Sequence, residues 1–426
     1  MLSALRQRNF ALLWVSSLIS LIGDRALMTA LPFYVYEQTG STLAMAGMFG
    51  ASYLPTFLFS SVAGVFVDRW DRKRILVVTN LIQSAVMLTL LLIQPTGWLW
   101  LVFLVTFVQM TLAMFTMPAE GALIPNLVEE SQLLPANALT GLGNTIARLI
   151  GPAAGGVLLG VFGLSSVVFV DSASFLLAAL LVLRIAAPAR PAAPPTDVAG
   201  TIWASWRTLG REWREGVQLV RHTRLLAALF IVMNVTSLGG TLIDPLFVPF
   251  VQVQLHAGAE ARGFLSTIGA VGGLLGGVLI GWLGNRIAPR YIVGWGTLIV
   301  GLFMLVIYNQ TRLESAAVLI CLMTVVVIGA NVAATSLLQA GTPDQYRGRI
   351  YGALGTTNAL IGLVAVGLAG ALGEVVGIVP MLDVAAAITA LAGVLGLVLL
   401  PRNERAAGPA LEREEPRVTA GLSPQE

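Results

Sequence analysis

Six ionisable side chains interrupt otherwise apolar segments and are the first candidates for chemistry in this sequence. They are Asp24, Arg25, Glu120, Arg148, Asp171 and Asp244. A charge inside a nonpolar medium costs about 2.5–3.5 kcal/mol on insertion scales, so such residues tend to carry protons or to contact a polar ligand. The candidate proton carriers are Asp24, Arg148, Asp171, Asp244 and Glu120. Glu120 lies near the end of its segment, where contact with water alone would also explain a carboxylate.

Asp24 and Arg148 form the most specific hypothesis of this group. At a rise of about 1.5 Å per residue, Asp24 lies ~21 Å into its segment and Arg148 ~18 Å into another, so their depths are similar. An arginine does not readily lose its proton, so protonation of Asp24 would neutralise such a pair and free Arg148 for another acceptor, such as Asp171. A static structural pair and a partnership that involves Arg25 are the alternatives.

A short, strongly charged stretch, GVFVDRWDRKR, lies between two apolar runs and extends from Gly64 to Arg74. Lysine and arginine beside an apolar segment commonly anchor it on one side of a membrane. An anchor does not require acidic residues, however, and this stretch contains both Asp68 and Asp71. The mixture of signs favours specific contacts over a simple topological anchor.

Polar side chains recur at helical spacing in three of the apolar segments, which predicts faces that line a polar cavity. These side chains are Ser17, Ser20 and Asp24 in the first segment, Asn234, Ser237, Thr241 and Asp244 in another, and Asn331, Thr335 and Gln339 in a third. A fourth segment instead carries methionines at similar steps, namely Met110, Met114 and Met117. Methionine adapts its shape to a ligand, although ordinary packing or contact with lipid would produce the same stripe.

The elements that must position these residues are membrane-spanning helices. The chain has 426 residues, of which 56% are hydrophobic and only 11% charged, whereas soluble domains are about 25% charged. A spanning helix needs about 20 mostly apolar residues, and twelve segments meet this criterion. Their predicted bounds are Phe10–Tyr36, Leu43–Val67, Ile75–Gln94, Trp98–Leu123, Ala136–Val161, Ser166–Ala187, Leu225–Val251, Gly263–Gly284, Tyr291–Asn309, Ser315–Gln339, Ile350–Val376 and Pro380–Leu400.

Basic residues predict which side of the membrane each loop occupies. All but four of the 25 lysines and arginines fall in the N-terminal residues, in alternate loops or in the C-terminal tail. The exceptions are Arg25 and Arg148 within segments, and Arg262 and Arg312 in other loops. Because cytoplasmic loops collect basic residues, both termini are predicted to be cytoplasmic.

One connecting segment, Pro188–Thr223, is much longer than the others, and we call it the joint. It begins with a spacer rich in proline and alanine, APARPAAPPT, which cannot form a packed core. Apolar residues then recur at steps of three and four, namely Trp203, Trp206, Leu209, Trp213, Val217 and Val220. This pattern favours an amphipathic helix on the membrane surface, and a connector helix packed on the helical bundle is the alternative.

The joint divides the twelve segments into six and six, and a weak internal repeat accompanies the division. GWLGNRIAPRY, from Gly281 to Tyr291, ends the eighth segment as GVFVDRWDRKR ends the second. Paired halves of this kind are typical of transporters. The predicted organisation is an N-terminal half (1–187), a cytoplasmic linker with an amphipathic helix (188–223), a C-terminal half (224–400) and a disordered cytoplasmic tail (401–426).

Two motifs resemble those of the major facilitator superfamily. The pattern G-x-x-x-D-R-x-x-R-K-R is similar to motif A and comprises Gly64, Asp68, Arg69, Arg72, Lys73 and Arg74. The stretch GPAAGG is similar to motif C, the antiporter motif of drug exporters, and supplies Gly151, Pro152, Gly155 and Gly156. LRQRNFALLW, GDRALMTALPFYVYEQTGS, PAEGALIPNLV and QYRGRIYGALG resemble the drug:proton antiporter branch that includes macrolide efflux proteins and siderophore exporters. Motif A commonly has glycine where Asp71 stands, so its turn is expected to differ here.

The resemblance implies an all-α membrane protein with twelve transmembrane helices in two pseudo-symmetric six-helix halves. Helices one, four, seven and ten are then expected to line a central substrate cavity, to which the polar and methionine stripes and Arg25 would belong. In the family, the aspartate that matches Asp68 faces the start of helix eleven, near Gly348–Ile350 here. We therefore expect motif A to latch the two halves together on the cytoplasmic side until the cavity opens inward.

The sequence thus predicts a secondary active exporter of amphipathic small molecules, driven by proton antiport through alternating access. We expect a monomer in the cell (inner) membrane, in contact with lipids, with no cofactor, no metal site and no nucleic-acid partner. A lipid or siderophore exporter of the same fold is the alternative. An intramembrane lipid-modifying enzyme would need clustered nucleophiles or His, Asp and Glu side chains at one depth, and the sequence has no such cluster.

Overall fold

A computed structural model describes residues 2–186, 210–211, 213–221, 223–284 and 286–401, with only the backbone for residues 2, 60–66 and 68. Within these residues, 12 helices are long and apolar enough to cross a membrane, which confirms the predicted all-α fold. They are α1 Arg8–Thr39, α2 Thr42–Arg69, α3 Arg72–Leu88, α4 Trp100–Leu123, α5 Leu133–Phe162, α6 Leu164–Leu183, α7 Arg224–Ile243, α8 Ala259–Leu283, α9 Pro289–Tyr308, α10 Leu313–Ala340, α11 Asp344–Val376 and α12 Ile378–Leu399.

The helices pack into two halves that repeat each other. In the first half α1 packs against α5 and α6, α3 against α4 and α6, and α2 against α4. Each of these pairs has a counterpart six helices later in the chain, such as α7 with α11 and α12. Equivalent turns also use glycines with positive φ: Gly163 (φ 76) joins α5 to α6, and Gly377 (φ 102) joins α11 to α12. A side chain at either position would strain the turn, because only glycine adopts such φ values at no steric cost.

The seventh helix is shorter than its apolar run predicts. The expected span was Leu225–Val251, but α7 ends at Ile243, and a short helix, Phe247–Pro249, and a π-helical turn, Phe250–Gln254, follow it. Pro245 and Pro249 explain the break, because proline lacks the N–H that a continuous helix needs and clashes with the preceding turn. Asp244 therefore lies at a helix end and not within a span.

The two halves meet at one end of the bundle and part at the other. We call the end where α2 ends and α7 begins the joint end, and the opposite end, where α1 meets α2, the far end. Contacts between halves run along α5–α8 and α2–α11. At the far end Thr42 Oγ1 donates to the Gly370 carbonyl oxygen at 2.8 Å, and a Cβ added to Gly156 would lie 2.6 Å from the Ala259 carbonyl oxygen.

At the joint end the facing helices are separated. A Cβ added to Gly141 of α5, or to Gly281 of α8, would meet no atom within 4 Å. The same holds for Gly348 and Gly352 at the start of α11. In the part of the chain that is described, a central cavity between the two halves is therefore open at the joint end and closed at the far end.

The described part of the joint packs on the bundle. Residues 213–221 are helical, and Trp213 Nε1 donates to Thr357 Oγ1 of α11 at 3.1 Å. Glu215 lies 3.4 Å from Arg349, also on α11, and Val220 is buried. These residues pack on the bundle, as the connector-helix alternative has it, and contact with the membrane surface stays a prediction. Trp203, Trp206 and Leu209 lie outside the described residues, and the predicted domain boundaries stay predictions.

Candidate functional site

The first half contains an apolar pocket with one carboxylate in its wall. The pocket lies among α1, α2, α3 and α4 and encloses about 490 Å³, open solvent included, of which about 50 Å³ can hold the centre of a water molecule. Its lining includes Asp24, Gln109 and four methionines: Met28, Met48, Met87 and Met110. Met28 is 43% exposed, so the pocket communicates with the space outside its own helices. A pocket with this lining can take the apolar part of a ligand and place one polar group beside a carboxylate.

Asp24 is held by an amide on α4. Gln109 Nε2 donates to Asp24 Oδ1 at 2.5 Å, and Gln109 is only 5% exposed. The sequence analysis did not identify Gln109. Its signal was a lone amide directly before Met110, three residues after Thr106, which lines the same pocket.

The predicted pair of Asp24 and Arg148 is not formed. Among the described residues no ion pair within 4 Å joins them, and Asp24 instead accepts from Gln109. Successive residues of a helix point about 100° apart, so Asp24 faces α4 while its neighbour Arg25 faces α5. The Arg25 side chain passes Gly151 of α5, and it is Arg25 that lies in electrostatic contact with Arg148.

Asp171 lies directly behind Asp24. It is 0% exposed, and a Cβ added to Gly23 of α1 would lie 2.5 Å from Asp171 Oδ1. Asp171 and Asp24 are in electrostatic contact, and Asp171 Oδ2 has no hydrogen-bond partner among the described residues. Two ionised carboxylates repel each other at short range, so this arrangement is suited to holding a proton.

The third carboxylate of the first half, Glu120, ties two helices together. Ser17 Oγ of α1 donates to Glu120 Oε1 at 2.7 Å. Glu120 lies on α4 nearer the joint end than Gln109 and is half-buried. The predicted methionine stripe lies on the same helix. Of its members, Met117 is 72% exposed and Met114 is half-buried. A static bond between α1 and α4 accounts for Glu120 without a role in proton transfer.

The predicted polar stripe of α7 is divided between a cavity and the core. Ser237 lines a cavity of about 1030 Å³, open solvent included, among α7 and α9 to α12, together with Asn331 of α10. Asn234 and Thr241 are buried, and Asn234 Nδ2 donates to the Phe230 carbonyl oxygen of its own helix. The remaining predicted positions, Ser20 and Thr335, are half-buried.

Asp244 links the two halves at the far end. Tyr53 of α2 donates its hydroxyl to Asp244 Oδ2 at 2.6 Å, and Arg262 of α8 is in electrostatic contact with the same carboxylate. Sequence reasoning placed Asp244 on the cavity wall and did not identify Tyr53. The bond joins residues of different halves, so it stabilises the conformation that is closed at the far end.

Replacing Tyr53 with phenylalanine should shift the protein toward a conformation open at the far end. The change removes a hydrogen bond to a charged group, worth about 1.5 kcal/mol or more, so we expect a change of about tenfold in the ratio of conformations. Distances between spin labels at Thr96 and Thr311, in far-end turns of the two halves, measure this ratio. Tyr291→Phe, which removes a hydroxyl within one half, is the control, and equal distance distributions for both variants would contradict the prediction.

Motif A is tied to its own half in the residues described. Asp71 Oδ1 accepts from the Arg74 backbone N–H at 2.8 Å and so caps the start of α3, which accounts for this aspartate. Lys73 Nζ donates to the Ile185 carbonyl oxygen beyond α6 at 2.7 Å. The side chain of Asp68 lies outside what is described, so the latch to the start of α11 stays a prediction.

Motif C accounts for the close packing of α5 on both sides. A Cβ on Gly151 or Gly155 would overlap Arg25 and Ala26 of α1, within the same half. A Cβ on Gly156 would instead meet Ala259 of α8, in the other half. Pro152 lies within α5 and its carbonyl oxygen contacts Gly263 of α8. The motif therefore brings α1, α5 and α8 together at the far end of the cavity.

Comparisons with known proteins agree with this architecture. The family model described as "Major Facilitator Superfamily" matches residues 13–365 and 229–424. Macrolide efflux protein A of Streptococcus pyogenes is 27% identical over 369 residues, which cover 84% of this chain and 88% of the relative. Multidrug resistance protein MdtG of Salmonella paratyphi C is 26% identical over 355 residues, which cover 81% of this chain and 83% of the relative.

Solved structures share the fold at low sequence identity. A bacterial homologue of the iron transporter ferroportin, in an inward-facing state, has a TM-score of 0.73 and 16% identity, and covers 93% of this chain and 99% of its own. The nucleoside transporter NupG has a TM-score of 0.69 and 13% identity, and covers 93% of this chain and 100% of its own. With twelve spanning helices in paired halves and a family model that matches most of its length, this chain is a multi-pass membrane transporter, not an enzyme, and belongs to the Major Facilitator Superfamily.

Proposed function

We propose that this protein exports amphipathic small molecules, including macrolide-like compounds, in exchange for protons. The observation that carries the proposal is the methionine-lined pocket with Asp24 and Gln109 in its wall, next to a cavity open at the joint end. The relatives named as macrolide efflux and multidrug resistance proteins support the substrate class. A carboxylate that is shielded from water and accessible to a ligand can exchange a proton for a substrate group.

In the proposed cycle, substrate and proton compete for the same region of the first half. Substrate enters from the joint end, and Asp24 releases its proton to that side. The halves then close at the joint end and open at the far end, which requires the Tyr53–Asp244 bond and the α5–α8 contacts to break. Substrate leaves, Asp24 takes up a proton from the far side, and the protein returns to the conformation described above.

This direction of transport requires the joint end to face the cytoplasm, and we propose that orientation. The excess of arginine and lysine in the termini, the joint and the loops on the same side supports it. We also propose that the protein works as a monomer in the cell (inner) membrane, because the cavity and the candidate carboxylates all lie within one chain.

Cysteine labelling tests the orientation. Single cysteines in place of Ala193, in the joint, and of Thr311, in the far-end turn between α9 and α10, are introduced into a Cys321→Ala background. An impermeant thiol reagent applied to intact cells should label the cysteine at 311 and leave the one at 193 unlabelled until the membrane is opened. Labelling of position 193 in intact cells would contradict the proposed orientation.

Inside-out membrane vesicles test the function itself. Vesicles that contain the protein and have an acidic interior should accumulate labelled erythromycin or ethidium, and a protonophore should abolish the accumulation. Vesicles without the protein are the control for passive partition. Entry that equilibrates without exceeding the external concentration, and that is indifferent to the pH gradient, would contradict proton antiport.

A further inference from the structure

Two arginines from different helices lie close together at mid-depth in the first half. Arg25 is on α1 and Arg148 is on α5, and Arg25 is in electrostatic contact with both Arg148 and Asp24. The Cβ of Arg25 lies against Gly151, one helical turn from Arg148 on the same helix. Arg148 is exposed, and Arg25 is half-buried. These positions place both arginines where α1 packs on α5, at similar depth in the first half.

Neither arginine forms a close ion pair with an acidic side chain in the part of the chain that is described. No Asp or Glu oxygen lies within 4 Å of either guanidinium group. The nearby carboxylates are engaged or face elsewhere: Asp24 accepts from Gln109 and faces α4, Asp171 lies behind α1, and Glu120 accepts from Ser17. Each of these acidic groups therefore leaves the arginines available to another anion.

The single negative charge of Asp24 offsets only one of the two positive charges, so the pair favours an additional anion. Arginine stays protonated in proteins, so the pair cannot lower its repulsion by losing a proton. Charges at this depth are costly to keep, and two like charges at close range add to that cost. The planar guanidinium group matches the oxygen pairs of carboxylates and phosphates, which makes such an anion the best partner.

The pair lies at mid-depth, at the inner limit of the cavity, where a ligand that enters from the joint end can reach it. Just beyond it toward the far end, Thr267 Oγ1 of α8 donates to the Leu149 carbonyl oxygen at 2.9 Å and closes the α5–α8 contact. Toward the joint end, an exposed polar stripe on α5 leads away from Arg148 through Asn144 and Asn137. A polar path therefore connects the two arginines to the opening.

Apolar surface lies next to the same site. Met28 follows Asp24 by four residues and Arg25 by three on α1, so it lies between the faces of these two residues, and it lines the methionine-rich pocket. A ligand with an acidic head and an apolar body can therefore place its head at the arginines and its body in the pocket.

We propose that Arg25 and Arg148 together bind the anionic group, a carboxylate or a phosphate, of an amphipathic ligand in the central cavity. This rests on the proposed function and adds to its substrate class amphiphiles that carry an acidic group. The same chemistry occurs in a free amphipathic acid and in an anionic lipid headgroup, and the experiment separates these two sources.

The experiment measures the binding of a matched pair of fluorescent probes. The purified protein, in nanodiscs of phosphatidylcholine only, is titrated with dansyl-labelled undecanoic acid and with its methyl ester, and signal from empty nanodiscs is subtracted. The native protein should bind the acid at least about tenfold more tightly than the ester, as expected for a charged hydrogen bond. Arg25→Gln and Arg148→Gln should each remove this preference and leave ester binding unchanged.

Two further variants keep the result interpretable. Arg312→Gln removes the same charge from a far-end turn and should retain the preference for the acid. Arg148→Lys keeps the charge but not the planar fork, and should retain part of the preference even if a glutamine variant fails to fold. Equal binding of acid and ester by the native protein, or an equal loss of both in the glutamine variants, would overturn the proposal.

Adding an anionic lipid to the nanodisc shows whether the bound anion is a lipid headgroup or a free acid. If phosphatidylglycerol in the nanodisc displaces the acid probe from the native protein, the site takes a lipid headgroup; if it does not, the site takes a free amphipathic acid. Failure of this inference is distinct from failure of the proposed function. Uptake of ethidium into vesicles without any acid preference in binding would leave the exporter in place and overturn only the anion site.

Discussion

Replacing Asp24 with asparagine should abolish accumulation of substrate against a gradient while exchange of substrate across the membrane continues. Asparagine has nearly the same shape, and its side-chain oxygen can still accept the hydrogen bond from Gln109. The variant should therefore fold and bind substrate, but it cannot take up and release a proton at this position. Uphill uptake into acidic inside-out vesicles, measured beside counterflow in proteoliposomes without a pH gradient, gives the two readouts.

Glu120→Gln is the matched control for this result. It makes the same chemical change in the same half, and its amide oxygen can keep the bond from Ser17. We expect Glu120→Gln to retain uphill uptake, because the bond between α1 and α4 needs an acceptor and not a charge. If Asp24→Asn still accumulates substrate, Asp24 is not the coupling carboxylate, and Asp171, directly behind it, becomes the residue to replace next.

Replacing Gly156 with valine should prevent closure at the far end and lower transport by at least about tenfold. A Cβ at this position would lie 2.6 Å from the Ala259 carbonyl oxygen of α8, and a backbone atom cannot turn aside as a flexible side chain does. The two halves can avoid the overlap by separating there, so the population should shift toward the conformation open at the far end. Spin labels at Thr96 and Thr311 should report the longer distance.

The neighbouring glycine provides the control. A Cβ on Gly155 overlaps Ala26 of α1, which belongs to the same half, so Gly155→Val should strain that half without separating it from the other. Overpacking of this kind costs about 1–3 kcal/mol, so the expected result is a lower unfolding temperature with little change in the labelled distance. A native distance distribution with native transport in Gly156→Val would show that the α5–α8 contact does not restrain the cycle.

Much of the fold could be predicted because the membrane imposes a length and a composition on each helix. The twelve segments, the division at the joint and the family follow from these patterns and from motifs A and C. The prediction was wrong where local chemistry broke an apolar run, as at Pro245. In the joint, the same three- and four-residue spacing suits lipid and a neighbouring helix equally, so spacing alone could not choose between them.

The partners of the candidate site residues could not be predicted from the chain. Asp24 contacts Gln109, which is 85 positions away, and Tyr53 reaches Asp244 at a separation of 191 positions. In a soluble protein the polar face of a helix would fix its rotation, but here the faces toward lipid and toward other helices are both apolar. The pattern therefore left each helix free to rotate, and the expected pair of Asp24 and Arg148 was one of several arrangements compatible with their depths.

The sequence by itself determined the number of helices, the paired halves and the choice of ionisable residues on which transport can depend. Only the tertiary structure decided that Asp24 faces α4, that Arg25 and Arg148 share one place, and that the cavity opens at the joint end. The reason is that length, hydropathy and charge act on each segment separately, whereas partners and openings depend on how helices rotate and how two halves tilt against each other. In the proposed cycle the same sequence adopts a conformation open at the joint end and another open at the far end. Contacts such as those of Gly156 and Tyr53 then decide which conformation is populated.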